Sequence, residues 1–192
     1  MLNKPKPVKV YYTGPMFRYD RPQAGRYRQF YQFGLEAIGD DDPIIDAQLI
    51  YLCKQMYSDI GIPVEIQINS IGCKKCRKAY IKVLKNYLKK NRNKLCTNCK
   101  NRYLKNPLRV LDCKEKKCKE VVVDAPQIVD HLCEDCNNHF VKVLEYLEDA
   151  ETPYVLNPFI VRGLDYYNRT TFEVFPQGDE GSQSALAGGG RY

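Results

Sequence analysis

Cysteines are the most chemically distinctive residues of this 192-residue sequence. Eight of the nine form four pairs between positions 73 and 136, three with two residues between the cysteines and one with four. Paired thiolates at this spacing are typical of tetrahedral four-cysteine zinc sites, and eight ligands suffice for two sites. The pairs are Cys73 and Cys76, Cys96 and Cys99, Cys113 and Cys118, and Cys133 and Cys136.

The order of the pairs favours one grouping of the ligands. We expect the two middle pairs to form one site, and the first and last pairs to form another that ties together the first and last helices of the segment. Iron–sulfur clusters are also held by four cysteines, and reduced cysteines can pack without metal as small apolar residues, so both alternatives stay open. Cys53 is predicted to lie in the core, and His131 and His139 on the surface or beside the ligands.

A second candidate site is an arginine-rich segment near the N-terminus. Arg18, Arg21, Arg26 and Arg28 lie within eleven residues and alternate with aromatic side chains. A guanidinium group matches the geometry of phosphate oxygens, and an aromatic face can stack on a base. Composition alone leaves a solvated surface hairpin equally open.

Strands and helices must position these residues. Residues 8–12 and 29–33 have strand composition and predict a hairpin around the arginines. A helix is predicted from Asp42 to Gly61, followed by an alternating strand at 64–69. Lysine-rich and apolar helical patterns follow at 73–93, 96–105 and 125–150, and strand character returns at 154–161, 170–175 and 185–192.

This layout predicts an α+β fold, in which an antiparallel sheet flanked by helices contains an inserted, helical, cysteine-rich module. We expect residues 1–70 and 152–192 to form the two parts of a catalytic core, with the module at 71–151.

Charge separates the module from the rest of the chain. The net charge is +7, but residues 73–119 carry eighteen Lys and Arg and two acids, a balance of +16. The remaining residues carry twelve bases and twenty-one acids, a balance of −9. The basic segment is therefore a candidate for contact with nucleic-acid phosphates. With 28% charged residues and no apolar run near the ~20 residues of a membrane span, we expect a cytoplasmic protein without membrane contact.

The order of residues in the arginine-rich segment carries more information than its composition. Residues 14–30, GPMFRYDRPQAGRYRQF, resemble motif 2 of the histidyl-tRNA synthetases, which are class II aminoacyl-tRNA synthetases. The resemblance implies that Arg18 contacts the ATP α-phosphate and the histidine carboxylate, Arg26 the outer phosphates, and that Phe30 stacks on adenine. Asp20, which stands where the family usually has Glu, is expected to contact the nucleotide less directly. Farther along, the α-ammonium of histidine is expected to bind Gln32 and Glu36.

Residues 161–170, VRGLDYYNRT, resemble the second histidine-specific motif of the same family. By this resemblance Arg162 stabilises the α-phosphate charge and contributes to the histidine site, so Arg18 and Arg162 are the predicted catalytic residues. Tyr167 is expected to hydrogen-bond the imidazole and Tyr166 to line the pocket. Residues 187–192, AGGGRY, resemble the glycine-rich strand before motif 3, where glycines are expected to let the backbone approach the ligand.

Two stretches of the cysteine-rich module, NSIG at 69–72 and NPLRVLD at 106–112, resemble the helical insertion domain of the family. That domain is expected to contact the acceptor stem of tRNA(His). The resemblance implies a homodimeric histidine–tRNA ligase that uses L-histidine, ATP and Mg²⁺. The structural zinc expected in the module follows from the cysteine spacing alone. Motif 1, motif 3 and an anticodon-binding domain have no counterpart in these residues, so the chain is expected to be an incomplete catalytic domain, inactive by itself.

Two other classes of protein compete with this interpretation. A non-catalytic paralogue, such as the regulatory subunit of ATP phosphoribosyltransferase, would not need Arg18, Arg26 and Arg162. A zinc-stabilised RNA-binding protein would have no use for the motif 2 and tyrosine signatures.

Overall fold

The computed structural model describes residues 5–19, 21–22, 26–160, 166–178 and 185–192. These residues contain two sheets and six α-helices. The first sheet is a two-stranded hairpin, and the second has four strands. The α+β class and the inserted helical segment predicted from the sequence are confirmed.

The hairpin is longer than its sequence pattern predicts. Strand β1 (Val8–Phe17) pairs antiparallel with strand β2 (Gln29–Ile38), from Val8 opposite Ile38 to Phe17 opposite Gln29. The ladder continues through glycines and a proline that have low strand propensity, because main-chain pairing across the hairpin outweighs local preference. The arginine-rich tip therefore stands at the end of a ten-residue ladder.

Helix α1 (Pro43–Asp59) begins where the sequence predicts. The Asp42 carboxylate accepts a hydrogen bond of 2.9 Å from the backbone N–H of Ile44, and Pro43 occupies the first helical position. Gly61, with a φ of 74°, follows the end of the helix. The helix buries Ile45, Asp46, Ala47 and Ile50.

The second sheet has the strand order β4, β3, β5, β6. Strand β3 (Val64–Ser70) pairs antiparallel with β5 (Thr170–Pro176) along its full length, and β5 pairs antiparallel with β6 (Ala187–Gly190). Strand β4 (Val155–Leu156) pairs parallel with β3 and has two residues, so the strand predicted at 154–161 is too long. Asn157 ends it by accepting a side-chain hydrogen bond from the Phe159 N–H, and Pro158 cannot donate to a ladder.

The helical segment lies between β3 and β4. It comprises α2 (Lys74–Lys90), α3 (Thr97–Lys105), α4 (Leu108–Leu111), α5 (Lys116–Val123) and α6 (Glu134–Asp149). Short 3₁₀ turns at Arg92–Lys94 and Ile128–His131 take the place of parts of the longer helices predicted from the sequence.

Two apolar clusters stabilise the chain. One lies inside the helical segment, around Tyr80, Leu84, Leu88, Val110 and Ile128. The other lies between the four-stranded sheet, α1 and α6, and contains Ile50, Ile66, Ile68, Phe140, Val143 and Leu147. Helix α6, inside the predicted module by sequence, therefore packs on the sheet, so the module and the sheet share a core element.

Among the residues that the structure describes, no helix combines the length and apolar composition of a membrane span.

Replacement of Ile50 by alanine tests the shared core. Ile50 is fully buried, so Ile50→Ala should lower the free energy of unfolding by about 2–5 kcal/mol through lost burial and a residual cavity. Ile44, on the same helix, is 47% exposed, and Ile44→Ala should change it by less than about 1 kcal/mol. Urea unfolding followed by circular dichroism measures both, and equal effects of the two variants would contradict this packing.

Candidate active site and cysteine clusters

Two of the predicted ATP-binding residues lie against each other at the far end of the hairpin. The Arg18 Cζ atom lies 3.8 Å from the centroid of the Phe30 ring, a cation–π geometry. The backbone N–H of Arg18 donates a 2.8 Å hydrogen bond to the carbonyl of Arg28, which fixes the start of the side chain. The Arg18 Nε is buried and has no hydrogen-bond partner among the described residues, which suits a bound anion.

The other predicted phosphate ligands are placed less fully. Arg26 is exposed beside the tip of the hairpin. Asp20 and Arg162 lie outside the described residues, so their assigned roles remain predictions.

One face of the hairpin carries both residues predicted to bind the histidine ammonium. Gln32 and Glu36 are four residues apart on β2, so their side chains point to the same face of the sheet. The Gln32 Nε2 donates a 3.1 Å hydrogen bond to the Tyr12 hydroxyl. A Cβ atom on Gly34 would lie 2.1 Å from the Tyr12 Cζ, so glycine is required for the Tyr12 ring to cross the hairpin here.

The predicted imidazole-binding tyrosines meet this face through a residue that the motifs did not assign. The Tyr192 hydroxyl donates a 2.5 Å hydrogen bond to Glu36 Oε2. The Tyr166 ring packs edge-on against Tyr192 at 6.0 Å and against Tyr167 at 5.1 Å between centroids. The fold thus brings Glu36, Tyr166 and Tyr167 together from separate segments. In the sequence, only its position at the end of the glycine-rich stretch AGGGRY pointed to Tyr192.

The glycine-rich strand makes room for aromatic rings of the chain itself. A Cβ atom on Gly189 would lie 2.6 Å from Phe172 Cε1, and one on Gly190 would lie 3.1 Å from the Tyr167 ring. At these two glycines the close neighbours are therefore Phe172 and Tyr167, whereas the sequence had led us to expect a ligand.

The carboxylate of Glu36 changes the acidity of Tyr192. The hydrogen bond that Glu36 accepts, with burial and the negative charge of Glu36 adding to it, raises the pKa of Tyr192 to about 12. The phenol therefore stays a neutral hydrogen-bond donor to Glu36 at physiological pH.

The first cysteine cluster lies where the helical segment joins the sheet. The Sγ atoms of Cys73, Cys76, Cys133 and Cys136 all lie within 4.8 Å of one another. The Cys73 Sγ is 3.5 Å from that of Cys76 and 4.0 Å from that of Cys133. Cys73 and Cys133 are the N-cap residues of α2 and α6, so the cluster joins the first and last helices.

The second cluster lies inside the helical segment. It contains Cys96, Cys99, Cys113 and Cys118, again with all Sγ atoms within 4.8 Å. The Cys96 and Cys113 Sγ atoms are 3.9 Å apart, and the Cys96 backbone N–H donates to the Cys118 Sγ at 3.2 Å. The structure thus brings the eight cysteines together in the same two groups of four that their order in the sequence suggested.

The sulfur geometry fits a tetrahedral metal. A Zn–S bond of about 2.3 Å in a tetrahedron separates sulfur atoms by about 3.8 Å, close to the separations in both clusters. A backbone hydrogen bond from Cys76 is the main cause that lowers the pKa of Cys73 to about 6. Burial, then contact with neighbouring thiols, raises the pKa of Cys136 to about 12. A divalent cation would stabilise the thiolate form of every member.

The remaining cysteine and the two histidines lie outside both clusters. Cys53 is half-buried at the edge of the sheet core, where burial raises its pKa. The His131 ring is half-buried, 5.8 Å from the Tyr80 ring. His139 is only 5% exposed, so a surface position is wrong for it, and its Nε2 lies 3.6 Å from Asp46 Oδ2. It is buried because it lies on the face of α6 that packs on α1.

Comparisons with known proteins agree with these motifs. A family model described as Histidyl-tRNA synthetase matches residues 1–192. The histidine–tRNA ligase of Desulforamulus reducens is 52% identical over 189 residues, which cover 98% of this chain and 45% of that protein. That of Natranaerobius thermophilus is 50% identical over 194 residues, covering 100% and 46%. The chain therefore spans less than half the length of these relatives.

Solved structures give the same picture. The apo histidyl-tRNA synthetase of S. aureus superposes with a TM-score of 0.72 at 36% identity, covering 99% of this chain and 45% of that one. A Bacillus halodurans protein described as an ATP phosphoribosyltransferase regulatory subunit/histidyl-tRNA synthetase has a TM-score of 0.63 at 20% identity, which shows a shared fold alone.

The hydrogen bond between Tyr192 and Glu36 predicts a pH dependence. The folded-state pKa of Tyr192 is raised above the usual value near 10. The contribution of this hydrogen bond to the free energy of unfolding is therefore fully present below about pH 10 and is lost as pH rises through about 12. At about pH 11, Tyr192 should stay protonated, whereas in Glu36→Gln its pKa should fall toward the usual value. NMR of ring-labelled tyrosine, assigned with Tyr192→Phe, measures this. Glu65→Gln, on β3, is the matched control, and unchanged titration in Glu36→Gln would contradict the contact.

Proposed function

This chain belongs to the histidyl-tRNA synthetase family, and from that premise we propose that it supplies the central part of the catalytic domain of a histidine–tRNA ligase. The complete protein would use ATP to convert L-histidine to histidyl-adenylate and then transfer the histidyl group to the 3′ end of tRNA(His). The observation that carries this proposal is a continuous series of contacts, from Glu36 to the Tyr192 hydroxyl, from the Tyr192 ring to Tyr166, and from Tyr166 to Tyr167.

The chemistry of this cluster suits histidine. A carboxylate and an amide oxygen, from Glu36 and Gln32, can accept hydrogen bonds from the α-ammonium group. Tyrosine hydroxyls can exchange hydrogen bonds with the two imidazole nitrogens, and the rings of Tyr166 and Tyr167 provide an apolar wall. A pocket with hydrogen-bonding partners for the substrate's polar atoms rejects amino acids that lack those atoms, because its own polar groups are then left unpaired.

The arginines suit the activation step. One carboxylate oxygen of histidine attacks the α-phosphorus of ATP, a new P–O bond forms, and the bond to the pyrophosphate oxygen breaks. A carboxylate is already a nucleophile, so the step needs no protein base. Arg18 and Arg162 are proposed to stabilise charge on the α-phosphate while Arg26 holds the outer phosphates, Phe30 the adenine, and Asp20 contacts the nucleotide. Mg²⁺ would neutralise the outer phosphates.

The helical segment is proposed to serve tRNA. Its +16 balance over residues 73–119 fits contact with the phosphates of the acceptor stem, although bound thiolates would reduce that charge. The two cysteine clusters are proposed to hold one structural Zn²⁺ each, within an insertion domain at 71–151 between core segments 1–70 and 152–192. By family resemblance the complete enzyme would be a homodimer that acts in the cytoplasm.

An exchange assay on the complete gene product tests the proposed function. ATP–pyrophosphate exchange should depend on histidine and not on other amino acids. No exchange with any amino acid, in a folded protein, would instead support a non-catalytic paralogue. Binding of RNA without exchange would support a zinc-stabilised RNA-binding protein.

Replacement of Arg162 tests the activation step. In the complete enzyme, Arg162→Ala should raise the activation free energy of adenylate formation by about 3–4 kcal/mol, as removal of one oxyanion-hole donor does. Histidine binding should change far less, because the proposed contact strengthens in the transition state. Arg102→Ala, on α3, is the control in an assay without tRNA. An unchanged exchange rate in Arg162→Ala would reject the assignment.

Metal content tests the cysteine clusters. Purified protein should contain about two zinc ions per chain, since each cluster offers four thiolates. Cys99→Ser and Cys136→Ser should each lose about one ion, whereas Cys53→Ser should keep both. Elemental analysis measures the zinc, and visible absorption by iron would identify an iron–sulfur cluster instead. Absence of metal together with chelator-resistant folding would overturn the zinc assignment.

A further inference from the structure

The guanidinium group of Arg191 is held from several directions by the start of helix α1. Its Nε donates to Asp46 Oδ1 at 3.0 Å and to Oδ2 at 3.1 Å, and its Nη2 lies 2.9 Å from Oδ1. Its Nη1 donates to the carbonyl of Asp40 at 3.2 Å, and its Nη2 to that of Asp42 at 2.9 Å. All three guanidinium nitrogens therefore contact one helix N-terminal region.

The backbone of Arg191 is fixed from the opposite side. Its N–H donates to the Thr170 carbonyl at 3.0 Å, and its carbonyl accepts from the Asn168 N–H at 2.7 Å. Thr170 and Asn168 belong to the second histidine-specific motif. Arg191 thus joins that motif to α1, and the residue that follows it leaves the sheet in a defined direction.

Burial holds the ion pair of Asp46 and Arg191 in place. Asp46 is 8% exposed and lies in the first turn of α1, where the helix dipole favours a carboxylate. The buried His139 side chain of α6 lies 3.6 Å from the same carboxylate. Burial is the main cause that lowers the pKa of His139, so the ring is neutral and adds no competing charge near Arg191 at physiological pH. A desolvated ion pair with several hydrogen bonds keeps its geometry better than an exposed pair.

Tyr192 is the next residue in the chain, and its hydroxyl meets Glu36 at 2.5 Å. We propose that Asp46 and Arg191 are positioning residues that hold Tyr192 against Glu36 and so set the affinity of the pocket for the α-ammonium of histidine. The inference rests on the proposed function, since Glu36 is assigned to the ammonium by it. Asp46 itself stands behind Arg191 and is not proposed to touch the substrate.

A purely structural role for the pair makes a different prediction. If Asp46 and Arg191 only stabilise the fold, their loss should affect histidine and ATP alike, because both sites depend on the same hairpin. If they position Tyr192, the loss should act on histidine alone. The Michaelis constants for the two substrates therefore separate the two roles.

The experiment measures ATP–pyrophosphate exchange by the complete enzyme and its variants. Asp46→Asn should raise the KM for histidine roughly tenfold, the effect of losing a charge-assisted hydrogen bond, and leave the KM for ATP within about twofold. Asp112→Asn is the matched control, because Asp112 forms an exposed ion pair with Lys114 at 3.3 Å. That pair is far from Asp46 and Arg191 in the sequence. Arg191→Lys, which keeps the charge but loses the planar fork, should show a smaller effect with the same substrate selectivity.

A double variant tests the route through Tyr192. Tyr192→Phe should also raise the KM for histidine, and its combination with Asp46→Asn should give less than the product of the two single effects. Equal changes for histidine and ATP, an unchanged KM for histidine, or multiplicative effects would overturn the inference. If Asp46→Asn does not fold, Arg191→Lys takes its place in the same double variant. A wild-type enzyme without histidine-dependent exchange would overturn the proposed function instead.

Discussion

The antiparallel pairing of β3 with β5 is the constraint on which most of this structure depends. It pairs residues 64–70 with residues 170–176, so the whole helical segment is an insertion between two strands that are neighbours in the sheet. Closing a loop of that length costs conformational entropy, although the cost grows slowly with length. The apolar core between the sheet, α1 and α6 offsets this cost, and Ile66 and Ile68 of β3 belong to that core.

This pairing also positions the residues proposed to be functional. Because β5 begins at Thr170, opposite Ser70, the tyrosines just before it lie beyond the end of β3. Strand β6 pairs with β5 and places Tyr192 against Glu36 of the hairpin. The hairpin strands themselves take no part in the pairing of β3 with β5. The first cysteine cluster begins three residues after β3 ends, so a bound metal would hold the first and last helices of the helical segment together next to the sheet. One ladder therefore connects the proposed histidine pocket with the proposed tRNA-binding segment.

The sequence predicted those features that depend on local pattern or on motif order. Helix α1 was recognisable because Asp42 and Pro43 are a cap and a first-turn residue, and β3 because apolar and polar residues alternate. The cysteine grouping followed from the order of the pairs along the chain. By contrast, β1 and β2 extend beyond their predicted ends because pairing across the hairpin, which local propensity does not report, sets their length. The buried contact of His139 with Asp46 was missed because it joins residues of α6 and α1 that are far apart in the sequence.

The most direct test of the account is a crystal structure of the complete protein with L-histidine bound. It should place the α-ammonium within hydrogen-bonding distance, about 3 Å, of Glu36 and Gln32, with the imidazole beside Tyr166 and Tyr167. The Tyr192 hydroxyl should remain close to Glu36. Histidine bound elsewhere, or with its ammonium turned away from Glu36, would contradict the proposed pocket.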